Sequence, residues 1–79
     1  MKTTRATWYE VWIKKAFGAK LADRFNNIRE AKTAMVRARE KETSLGYKPS
    51  EYMVMIVDTI RTMDKDGETI SETTTYARV

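Results

Sequence analysis

The chain contains no cysteine and no histidine. Without them there is no thiolate nucleophile, no imidazole general base and no disulfide. Zinc and iron–sulfur sites built from those ligands are excluded too. No glycine-rich phosphate loop and no nucleophile elbow occurs, so nothing points to an enzyme or to a bound cofactor. No run of about 20 apolar residues could span a bilayer. The N-terminus lacks the roughly 7–15-residue apolar core of a signal peptide. The expected location is the cytoplasm, with no membrane partner.

What is present fits one small domain of 79 residues. Lys and Arg number 15 against 11 Asp and Glu, a net charge of +4. That balance favours acidic partners, although charges of both signs also make an ordinary solvated surface.

Residues 7–15 (TWYEVWIKK) are rich in aromatic and β-branched side chains and read as a strand. Residues 17–19 supply a turn, and residues 20–25 (KLADRF) a second strand completing a hairpin. Asn27 with Glu30 three positions later has the spacing of a capping box. From Ile28 to about Ser44 there is no Gly or Pro, and Ile28, Ala31, Ala34, Met35, Ala38 and Leu45 form one helical stripe. Gly46 and then Pro49 stop the helix. Residues 51–63 read as a long third strand and residues 68–79 as a fourth. Asp64-Lys65-Asp66-Gly67 between them is a turn, with Gly67 in the left-handed position. It lacks the later ligands of a calcium loop. The expected fold is therefore α+β, with the order ββαββ: a four-stranded, mainly antiparallel sheet with one helix packed on one face. The order of the strands across the sheet stays open.

One helix covers one face, which leaves the other bare. Side chains alternate along a strand. Tyr9, Val11, Ile13, Leu21 and Phe25 are assigned to the helix side. Trp8, Trp12, Lys14, Lys20 and Arg24 then fall on the open side. The third strand is apolar on both parities, so Met53, Met55 and Val57 join the open side. Exposed apolar patches mark contact sites, and Trp, Met and Arg are enriched at interface cores. Trp8, Trp12, Lys14, Lys20, Arg24, Met53 and Met55 are accordingly the candidate partner-binding residues. The same strand could instead be buried by a terminus, by the loop at residues 46–50, or in a homodimer stacked sheet to sheet.

Cations beside aromatics also suit a nucleic-acid surface, which is the first alternative. Arg29, Lys32 and Arg39 lie along one helix flank, as a solvated face or a phosphate-tracking one. Asp58 lies within the third strand on the helix-side parity, where a carboxylate needs a pairing with a nearby Thr or Arg, a bulge, or a function. A second alternative is a homodimer that sequesters a small nucleotide signal.

The run from YEVWIKK through FNNIREAKTAM, within residues 9–38, has the cadence of a strand, an Asn cap and a returning Ala-rich helix. In this, and over its whole length in size and charge density, the chain resembles small phage-encoded accessory proteins. These include inhibitors of bacterial immunity of the anti-CRISPR type. The resemblance implies a non-enzymatic inhibitor that occupies a surface of a host protein complex, working in the bacterial cytoplasm.

Overall fold

A computed structural model describes all of residues 1–79. Its elements are β1 (Lys2–Lys15), β2 (Gly18–Phe25), α1 (Ile28–Ser44), β3 (Tyr52–Met63) and β4 (Thr69–Arg78). They form the expected α+β arrangement, one antiparallel sheet with a single helix on it. The strand order is β2-β1-β3-β4. The two longest and most apolar strands thus lie at the centre, and each hairpin contributes one edge.

The local signals are used as the residues dictate. Gly18 and Gly67 adopt positive φ at the two hairpin turns, a region other L-residues rarely enter. Asn27 caps α1 by accepting from the Glu30 N–H at 3.1 Å. Gly46, at φ 84°, follows the helix end. In the second hairpin the Asp64 carboxylate accepts from the Asp66 and Glu68 N–H groups at 2.9 and 3.0 Å. Strand β1 begins five residues before the expected start, at Lys2 rather than Thr7. Its threonines pair with the far half of β3, from Thr7↔Asp58 to Lys2↔Met63.

The core is thin. Val11, Val54 and Ala31 form it, with Tyr9, Phe25, Met35 and Tyr52 packed around them. Ala31 is wholly enclosed between the helix and the sheet, beside Val11 and Val54. Glu42 ties the end of α1 to β3. Its carboxylate accepts from the Tyr52 hydroxyl and from the Ser50 N–H. The Tyr52 hydrogen bond, then that of Ser50, holds the Glu42 carboxyl below its usual range, and Glu42 pushes the Tyr52 hydroxyl up. The molecule measures 56 × 27 × 17 Å, so α1 covers only one end of a long sheet.

One expectation fails in β2. Val11 pairs with Asp23 but Trp12 pairs with Leu21, so Ala22 is an extra, bulged residue. The bulge inverts the alternation beyond it. Leu21 lies on the open face opposite Trp12, and Lys20 lies on the helix side opposite Ile13. Both are the reverse of strict alternation.

Ala31→Leu must lift the helix from the sheet. Overpacking of this kind costs about 1–3 kcal/mol, and urea unfolding followed by far-UV circular dichroism should show that loss.

Candidate functional site

The face opposite α1 is built by β1, β3 and β4 in register. Trp8, Val57 and Tyr76 lie side by side across three strands, as do Glu10, Met55 and Arg78. Trp12 pairs with Met53 at the next step. Trp8, Trp12, Met53 and Met55 therefore share this face, together with Arg24 opposite Glu10 and Lys14 opposite Ala19. Lys20 does not join them, because of the bulge at Ala22.

At the centre sits an unexpected group. Glu10 is buried, although no second layer covers this side. Its two carboxylate oxygens accept from the indole N–H groups of Trp8 at 2.9 Å and Trp12 at 3.0 Å. Alternation places residues 8, 10 and 12 on one face, and the carboxylate is short enough to sit between the two flanking rings. The rings remove it from water and supply its hydrogen bonds in exchange, which a buried charge requires. Val57 is fully enclosed on the same face, beneath its cross-strand neighbours Trp8 and Tyr76.

Two depressions flank this centre. One, of about 310 Å³, is lined by Trp12, Ala19, Met53, Met55 and Tyr76. All five are apolar or aromatic. The other, of about 460 Å³, is polar and includes Trp8, Arg24, Thr59, Arg61, Glu72 and Tyr76. Tyr76, half exposed, forms the wall between them. The cations here are mostly engaged. The Arg24 guanidinium stacks 4.0 Å from the centre of the Trp8 ring. Arg61 pairs with Glu72 at 3.0 Å, and Lys14 pairs with Glu51 at 3.5 Å.

Glu10, Tyr76 and Arg61 were absent from the sequence-based set. Glu10 was legible as the carboxylate between two Trp residues on one parity. Tyr76 and Arg61 needed the register between β3 and β4, which turn residues alone do not set.

Asp58 lies outside this face. It sits on the helix-side parity but beyond the reach of α1, where Arg5 grips it through Nε and Nη2 at 2.9 and 2.6 Å. The Thr7 hydroxyl donates to it at 3.0 Å. These donors, Arg5 first, hold its carboxyl below the usual aspartate range. This is the pairing with Arg and Thr that its strand position requires.

No three acidic side chains gather into a metal-binding cluster, and no helix is long and apolar enough to cross a membrane. The chain matches no known family model, no curated protein and no solved structure.

Glu10→Met leaves both indole N–H groups without their acceptor. The two rings are partly buried and each lost hydrogen bond costs about 0.5–1.5 kcal/mol, so the variant should unfold at lower urea and lose near-UV Trp ellipticity. In Arg5→Gln the Asp58 midpoint should rise toward the usual aspartate range in a carboxyl ¹³C NMR titration. A depressed folded pKa stabilises above the unfolded value and is lost as pH falls through the folded one. The wild type should therefore lose its stability advantage over this variant on acidification.

Proposed function

We propose that this protein is a binding module without chemistry of its own, which captures a protein partner on the uncovered sheet face. The observation that carries the reading is the apolar depression of Trp12, Ala19, Met53, Met55 and Tyr76 beside Arg24 and Arg61. An apolar pocket adjoining a polar surface suits one anchoring side chain and its polar surroundings. The narrower reading, an inhibitor of a bacterial defence complex, is supported by the likeness of build described above. Occupying a host surface needs no catalytic group, only such a face.

The nucleic-acid alternative is less well supported. Single-strand binders need free aromatic faces and free cations. Here Arg24 already occupies a face of Trp8. A buried carboxylate, Glu10, lies at the centre, and Glu72 neutralises Arg61. Lys20, one of the expected phosphate contacts, faces the other way.

The test uses the two tryptophans as reporters. Adding short single- or double-stranded oligonucleotides at low salt should leave Trp emission unchanged. Immobilised protein should retain a bacterial lysate protein that the Met53→Glu variant, folded by circular dichroism, does not. Saturable quenching that weakens with salt would replace this reading with nucleic-acid binding.

A further inference from the structure

The sheet has two edges, and they differ. Strand β2 is interrupted by the bulge at Ala22 and carries Lys20, Asp23 and Arg24 within its eight residues. Bulges and charges are how natural sheets block pairing at an edge. Strand β4 is exposed along its whole length. Its only irregularity lies at one end, where the step from Thr62↔Ser71 to Met63↔Thr69 leaves Ile70 as an extra residue. Beyond it, Ser71 to Val79 contains neither Lys nor Pro.

The hydrogen-bonding sense of this segment is fixed. Val79 N–H donates to Val54 C=O at 2.9 Å, continuing the register Met55↔Arg78. Antiparallel pairs alternate between bonded and non-bonded. Odd-numbered residues from Ser71 to Val79 therefore turn their backbone groups toward β3. Glu72, Thr74, Tyr76 and Arg78 turn theirs outward, with nothing in the chain to receive them.

We propose that β4 pairs antiparallel with β4 of a second copy, about a two-fold axis at Thr75, joining two four-stranded sheets into one. Thr75 is the midpoint of the regular segment 71–79. Pairing about it sets Glu72 opposite Arg78 of the second copy, twice, and Thr74 opposite Tyr76. Arg78 has no ion-pair partner within its own chain. A shift of the axis to residue 74 faces Arg78 with the bulged Ile70, and a shift to residue 76 leaves Glu72 beyond the partner's end. Only the Thr75 register brings Arg78 to a carboxylate, which it would share with Arg61, and pairs all the outward backbone groups from 72 to 78. The inference is independent of what the sheet face binds.

Sedimentation over a concentration series should show a species of about twice the chain mass of 9.2 kDa. Thr74→Pro removes an outward N–H and no inner ladder bond, so it should abolish the dimer and keep the far-UV spectrum. If that variant does not fold, Arg78→Glu should weaken the dimer, and adding Glu72→Arg should restore it. The register is read with single thiols in a chain that has none. Thr75→Cys places two thiols in a non-bonded pair across the axis, within disulfide reach. Mild oxidation should cross-link it, whereas Thr73→Cys, which faces Ala77, should stay uncrosslinked. A monomer at every concentration overturns the proposal. So does a dimer in which both thiols cross-link equally.

Discussion

The pairing of β1 with β3, from Lys2↔Met63 to Ile13↔Tyr52, governs the rest of the molecule. It is the one long-range contact joining the two hairpins, and it determines which parities share a face. It also determines how much of the sheet the helix can reach. A 17-residue helix is about 26 Å long at ~1.5 Å per residue. A 14-residue strand runs about 47 Å at ~3.4 Å per residue. Nearly half of the central pair therefore extends past the helix, with no layer on either side. The composition follows this geometry. Residues 2–7, 58–63 and 69–75 are rich in Thr, whose branched Cβ suits an extended backbone and whose hydroxyl tolerates water. Hydroxyl pairs Thr59–Thr74 and Thr3–Thr62, at 3.0 and 3.5 Å, and the Arg5–Asp58 fork stand there in place of a core.

At the covered end the constraint is reversed. The helix seals one face, and the other must bury its apolar side chains without a second layer. The Trp8–Glu10–Trp12 arrangement is the local solution. Two large rings flank a carboxylate, shield it, and are held in place by it through their N–H groups. Each ring is held by its hydrogen bond in this geometry, so the proposed binding surface would be preorganised. Preorganisation reduces the entropy lost on binding. A face of mobile aromatics would have to order first.

Much of the fold was legible in the residues, and the reasons are local. Asn27, Gly46 and Gly67 act within a few residues of themselves, so the cap, the helix end and the second turn follow from short-range chemistry. The helix stripe is a property of one segment. The start of β1 was missed because Thr3 and Thr4 carry no apolar alternation, and only pairing with β3 makes them strand. The face of Lys20 and Leu21 was missed for a sharper reason. A single bulged Ala22 reverses the side chains that precede it in β2 relative to those that follow, and alanine carries no sign of it. Of the candidate site, Trp8, Trp12, Met53 and Met55 were readable because they lie on the two strands with unbroken register. Tyr76 depends on β4, whose Thr-rich sequence has no strong parity of its own.

The thin core leaves little stability in reserve. Four apolar residues are buried, and one of them, Val57, belongs to the uncovered face. Small domains bury a limited fraction of their surface and have little stability to spare. Anything that binds the folded state alone stabilises it in proportion to its affinity and concentration. For this chain such a linkage would act where intrinsic packing is weakest, since the bare half of the sheet and the uncovered face have no second layer of their own. Ile60 and Tyr76, both partly exposed there, would gain the neighbours they lack only from another surface. Under the proposed function, folding and recognition would draw on the same side chains. A substitution at Val57 or Glu10 would weaken the sheet and the proposed binding face together, whereas one at Met53, on the wall of the apolar depression, would bear mainly on what that depression can hold.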